Sequence, residues 1–116
     1  MIKRLLAISV VLFSTALPVY GGVTFVEYEA ATEMARDLAA NCRREIRGGG
    51  GADRCEVFHR YLDERYEPLS DAFMERFQRD GDQAFLGVDN VRMQQHIRSQ
   101  ERLTRDIHYI SDHFQY

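Results

Sequence analysis

The chain has no tryptophan, only two cysteines and no lysine after Lys3. It also lacks an HExxH motif, a phosphate-binding glycine loop that ends in Lys-Ser/Thr, and a serine in a glycine-flanked elbow. Both cysteines are expected to be oxidised, which removes them as nucleophiles. The sequence therefore predicts a protein that is not an enzyme and that needs no cofactor.

The N-terminus has the pattern of an export signal. Lys3 and Arg4 precede an apolar stretch of 13 residues at 5–17, whereas crossing a hydrocarbon core takes about 20 residues. The residues before a possible cleavage site after Gly21 fit a signal peptide, with a small or branched residue three positions before the site and a glycine immediately before it. No cysteine follows that would carry a lipid. We expect a cleaved signal peptide at 1–21 and one domain at 22–116, periplasmic or secreted, without a stable membrane anchor.

The charge balance argues against a nucleic-acid binder. The whole chain has a net charge of −3, and loss of Lys3 and Arg4 with the signal would leave −5. Every remaining basic residue is an arginine, the side chain best suited to bidentate pairing with carboxylates. A genome that favours arginine codons would produce the same bias, so both explanations stay open.

Apolar residues recur at steps of three and four through most of the chain after residue 22, which is the period of a helix. The first helix is predicted at about 24–47, and the glycine run 48–51 ends it. Asp53 is the predicted N-cap of the second helix, with Glu56 three residues later as in a capping box.

The second half of the chain continues this pattern. Pro68 is expected either to kink the second helix or to separate it from a third, which ends at Asp80-Gly81. A last helix is predicted from a cap at Asp89 or Asn90 to about residue 114. The sequence thus predicts an all-α fold, a small bundle of three or four antiparallel helices built on a disulfide-stapled α-hairpin.

Each predicted helix has a face that is expected to lie in the core. These residues are Tyr28, Ala31, Ala35, Leu38, Cys42 and Ile46 on the first helix; Cys55, Phe58, Leu62 and Tyr66 on the second; Leu69, Phe73 and Phe77 after Pro68; and Met93, Ile97, Leu103, Ile107, Ile110 and Phe114 on the last.

Cys42 and Cys55 lie on the inward faces of two helices joined by a short glycine-rich connector. In an antiparallel hairpin these positions face each other, and a bridge needs Cα atoms within about 7 Å. A metal site would need two more ligands, and a redox pair usually has only two residues between the sulfurs, whereas twelve separate these. In an exported protein the pair predicts a structural disulfide, with a loop that stabilises the fold by about 3 kcal/mol.

Three carboxylate-histidine pairs have metal-ligand spacing. Glu56 and His59 are three residues apart, and His59 with Asp63 and His108 with Asp112 are four apart. Each pair offers two ligands, which is too few to define a site. We interpret them as solvated helix faces and predict no bound metal.

Two surfaces are candidates for binding a partner. Tyr61 and Arg65 lie off the inward face, and tyrosine and arginine are typical of protein contact centres. Alternatively, the Tyr61 ring packs across a neighbouring helix. The second surface is the arginine side of the last helix, formed by Arg92, Arg98, Arg102 and Arg105.

These observations predict a small exported helical protein that binds another exported protein, or itself. Accessory, adaptor and inhibitor or immunity factors of secretion or conjugation systems belong to this class. The alternatives left open are a periplasmic metal-binding protein and a stress-chaperone-like helical protein.

Overall fold

Helices make up most of the part of the chain that the computed structural model describes, residues 23–113. The predicted signal peptide and Phe114 lie outside these residues. The elements are helix α1 at Phe25–Arg47, α2 at Asp53–Tyr61, a π-helical turn at Leu62–Tyr66, α3 at Glu67–Asp80, a 3-10 helix at Gly81–Phe85 and α4 at Asn90–His113.

Helix α1 begins with a capping box that the sequence analysis did not predict. The Thr24 hydroxyl accepts a hydrogen bond from the Glu27 N–H at 3.2 Å, and the Glu27 carboxylate accepts one from the Thr24 N–H at 2.9 Å. Two N–H groups that have no partner inside the helix are thereby satisfied. The boundaries of α1 agree with the predicted helix.

The predicted cap of α2 at Asp53 is wrong. The N-cap residue is Ala52, and no side chain of α2 itself caps the helix. Instead Glu45, near the end of α1, accepts hydrogen bonds from the backbone N–H groups of Arg54 at 2.9 Å and Cys55 at 3.3 Å. The reason is tertiary, because the hairpin brings the last turn of α1 against the first turn of α2.

Pro68 does not interrupt the second helix, which is helical from residue 53 to residue 80. The Glu67 N–H bonds to the Leu62 carbonyl, five residues back, in the π-helical turn just before the proline. In a regular α-helix a proline has no N–H to donate and its ring meets the carbonyl four residues earlier. The wider turn accommodates Pro68, and we call the continuous element 53–80 the α2–α3 helix.

The α2–α3 helix runs antiparallel to α1, and α4 runs parallel to α1. Three side-chain contacts between α1 and α4 share an offset of 63 residues, among them Glu29 with Arg92 and Arg43 with Asp106. Both other helices pack against α1, whose Ala35 and Ala39 are fully buried and allow close approach. The predicted all-α bundle is confirmed.

The hairpin is stapled as predicted by a disulfide between Cys42 and Cys55, whose Cα atoms are 4.4 Å apart. The bridge lies in a buried cluster with Phe58, Leu103 and Ile110. A second cluster at the other end of the bundle contains Phe25, Tyr28, Phe73 and Ala84. Among residues 23–113 no helix is both long and apolar enough to cross a membrane.

The predicted inward face of α4 is partly wrong. Leu103 and Ile110 are buried as expected, but Ile97 is exposed, whereas the polar residues His96, Ser99 and Asp106 are buried. On this face, α1 offers a hydrogen bond to Ser99 and an ion pair to Asp106. The His96 ring instead packs against the rings of Phe25 and Tyr28. Pairing with α1, rather than hydrophobicity alone, thus sets the rotation of α4.

Candidate functional site

Three polar contacts join α1 to α4 at intervals of seven residues on each helix. Arg92 donates two hydrogen bonds to the Glu29 carboxylate, at 2.6 and 2.9 Å. One heptad later, the Arg36 guanidinium donates to the Ser99 hydroxyl at 3.1 Å.

After another heptad, the Arg43 guanidinium donates to the Asp106 carboxylate at 2.5 Å. Seven residues are close to two turns of a helix, so the three contacts lie in one row. We call this row the polar ladder.

The first contact of the polar ladder is an ion pair, and the second includes the additional carboxylate of Glu33. The hydrogen bond from Arg92 lowers the pKa of Glu29, so this carboxylate stays ionised. At the second contact, the Ser99 hydroxyl donates to the Glu33 carboxylate at 2.5 Å while Arg36 pairs with the same carboxylate at 3.1 Å. Each of the three side chains, Ser99, Glu33 and Arg36, thus bonds to the other two.

His96 is buried beside the ladder, with only 4% of its surface exposed. Its ring lies 4.9 Å from that of Phe25 and 5.1 Å from that of Tyr28, both in edge contact. Neither ring nitrogen has a hydrogen-bond partner among the described residues. Burial lowers the pKa of His96, against the opposing effect of Glu29 and Glu33, so the imidazole is neutral at pH 7.

Along the polar ladder, α1 and α4 border a groove in two adjoining parts, which most of the ladder residues help to line. One part has a volume of about 640 Å³ and the other of about 330 Å³, and Arg102 and Arg105 line both. Every residue that lines these two parts belongs to α1 or α4. We call this surface the arginine groove. Its arginines are Arg36, Arg43, Arg44 and Arg47 on α1 and Arg98, Arg102 and Arg105 on α4.

Among residues 23–113, four carboxylates line the arginine groove, namely those of Glu29, Glu33, Glu101 and Asp106. Five of its seven arginines are exposed, among them the three of α4, Arg98, Arg102 and Arg105. These three make no ion pair or side-chain hydrogen bond with any residue of 23–113. Positive charge is thus concentrated on one face of a protein whose net charge is negative. Such a face attracts acidic groups of a partner.

The Tyr61–Arg65 surface exists but is smaller. Both residues line a shallow hollow of about 250 Å³ between α1 and α2, together with Leu38 and Val57. Tyr61 packs partly against the core at the disulfide end, and this burial raises the pKa of Tyr61, with Arg65 opposing the shift. This partial burial agrees with the alternative in which the Tyr61 ring packs against a neighbouring helix. A binding role for Arg65 stays a prediction.

The carboxylate-histidine pairs remain separate. Glu56 is exposed on α2 beside the partly buried His59, whereas His108 and Asp112 are exposed on the last turns of α4. Burial lowers the pKa of His59, an effect that Asp63 opposes. Within the described part of the chain, no group of three His, Cys, Asp or Glu side chains is placed to hold a metal ion.

The predicted arginine side of the last helix was partly wrong, because Arg92 is paired with Glu29 and does not line the groove. Sequence reasoning named Arg98, Arg102 and Arg105 but missed the α1 side of the groove and the polar ladder. The available signal was the heptad spacing of Glu29, Arg36 and Arg43 on one helix and of Arg92, Ser99 and Asp106 on another. These residues were passed over because they lie next to the apolar face rather than on it.

Comparison with known proteins found no matching family model, no matching curated protein and no matching solved structure. Function is therefore inferred from the geometry of this chain.

Proposed function

We propose that this protein acts without catalysis, by binding an acidic surface of another exported protein in the arginine groove. The observation that carries the proposal is the row of Arg98, Arg102 and Arg105, exposed and without a partner among the described residues, beside further arginines of α1. An accessory, adaptor or inhibitor of a secretion or conjugation system would use such a surface.

The spacing of this row suits a helical or extended acidic segment. Steps of four and three residues place the arginines on one face of α4, along about 10 Å of the helix. Each guanidinium can bind a carboxylate through two parallel hydrogen bonds. A segment with carboxylates at similar spacing would contact all three at once, in the manner of a helix that binds in a groove.

The other polar groups of the groove favour binding over chemistry. His96 lines the groove, but both of its ring nitrogens are buried. The Ser99 hydroxyl already bonds to Glu33 and Arg36. These groups hold α1 against α4 and so form a preorganised floor for the arginines.

The test begins with crosslinking of the exported protein in its own compartment, and the binding constant is then measured with the purified partner. Reversal of charge in Arg98→Glu/Arg102→Glu/Arg105→Glu should abolish binding, and added salt should weaken the native complex. The melting temperature should change little, because the three side chains are exposed.

The matched control is Arg60→Glu/Arg65→Glu, which reverses exposed arginines on α2 and in the π-helical turn. This control should bind as the native protein does. If it abolishes binding while the groove variant binds normally, the partner uses the Tyr61–Arg65 surface and the proposal is wrong.

A further inference from the structure

The α2–α3 helix presents a row of acidic side chains at four-residue intervals. The row consists of Asp63, Glu67, Asp71 and Glu75, all exposed. Asp63 interacts with His59, whereas Glu67, Asp71 and Glu75 have no ion pair or side-chain hydrogen bond within the part of the chain described. We call these last three residues the acidic ridge.

The acidic ridge and the arginine groove match in length and in spacing. Glu67 and Glu75 are eight positions apart, or about 12 Å of helix, and Arg98 and Arg105 are seven positions apart, or about 10.5 Å. Each row has three charges at steps of three or four residues. Within one molecule the ridge and the groove lie on different helices and are both exposed, so their charges do not pair with each other.

We propose that the arginine groove of one copy of this protein receives the acidic ridge of a second copy. This inference rests on the proposed role of the groove as a docking surface. It names the acidic ridge of a second copy as the segment that binds there. Because every copy has both surfaces, a two-fold arrangement would form the contact twice and close the assembly as a dimer. A ligand for the groove that comes from another exported protein would then compete with self-association.

Charge exchange between the two surfaces tests this inference. A groove-reversed variant, Arg98→Glu/Arg102→Glu, has two acidic surfaces, and a ridge-reversed variant, Asp71→Arg/Glu75→Arg, has two basic ones. In sedimentation velocity at low salt, each variant alone should associate about tenfold more weakly than the native protein, or not at all, because like charges face each other. An equimolar mixture should regain association, since each groove then meets a ridge of opposite charge.

The control variant Asp82→Arg/Asp112→Arg changes two exposed acidic residues that lie off the ridge. It should associate like the native protein, and about 1 M salt should dissociate both. A native protein that stays monomeric at every concentration, or a mixture of variants that does not regain association, would overturn the inference.

The result is separable from that of the proposed function. The ridge-reversed variant keeps an intact groove and should still bind the exported partner, although its self-association is lost. If a partner binds through the groove but the native chain is monomeric, self-docking is wrong and the proposed function stands. If charge exchange restores association but no other protein binds in the groove, the proposed function is wrong and self-docking stands.

Discussion

Arg43 on α1 donates a hydrogen bond to the buried carboxylate of Asp106 on α4, 63 positions further along the chain. The guanidinium also lies 4.4 Å from the centre of the Tyr109 ring. Asp106 is almost fully buried, whereas about a quarter of the Arg43 side chain is exposed. The two partners of this ion pair are therefore not equivalent.

Removal of Arg43 should destabilise the fold more than removal of Asp106. Arg43→Ala leaves a buried carboxylate without its cation and should lower the free energy of unfolding by about 3 kcal/mol. Asp106→Ala leaves a cation that can turn towards water, so its cost should be smaller. Urea unfolding of the two variants and of the double variant measures the difference and the coupling. Equal losses for the two single variants would show that Asp106 reaches solvent without Arg43.

Glu45, and not Asp53, should stabilise the start of α2. Glu45→Ala removes the acceptor for the backbone N–H groups of Arg54 and Cys55 and should cost about 1 kcal/mol, as loss of a helix cap does. Asp53→Ala is the matched control, because its side chain accepts no capping bond. Thermal unfolding with the disulfide intact compares the two. A larger loss of stability for Asp53→Ala than for Glu45→Ala would show that Asp53 caps α2, as the sequence predicted.

His96 should make the fold less stable in mild acid. Below its ordinary pKa of 6.5, His96 of the unfolded chain gains a proton, but burial lowers the pKa in the folded state and prevents this. The free energy of unfolding should thus decrease as pH falls from 6.5 to the lowered pKa, and change no further below it. The pKa of Glu29 is also lowered, from 4.5, and its contribution is lost in more acidic solution.

His96→Phe tests this by keeping an aromatic ring while removing the titration. Its unfolding free energy should depend less on pH below 6.5, as followed by urea unfolding. Some dependence should remain, because burial lowers the pKa of His59 as well. Identical slopes for native protein and His96→Phe would contradict a neutral, buried His96.

Much of the fold could be predicted because it depends on local patterns. The steps of three and four residues predicted every α-helix, and Asp89 caps α4 as proposed, by accepting the Arg92 N–H at 2.8 Å. The two cysteines predicted the hairpin, since both lie on apolar faces next to one connector. The arginine row of α4 was also visible, because charges at helical spacing share a face in any fold.

The amino-acid sequence alone determined the helices, the disulfide and the α4 side of the candidate site, because these depend on neighbours within a few residues or on a pair of cysteines. Tertiary structure decided what lies opposite each helix. Only the parallel packing of α1 and α4 shows that His96 rather than Ile97 is buried and that Arg43 meets Asp106. His96 is buried against the rings of Phe25 and Tyr28, whereas Asp106 is buried in an ion pair with Arg43. The physical reason is that the contacts of a buried polar side chain come from distant segments, whose packing only the tertiary structure sets.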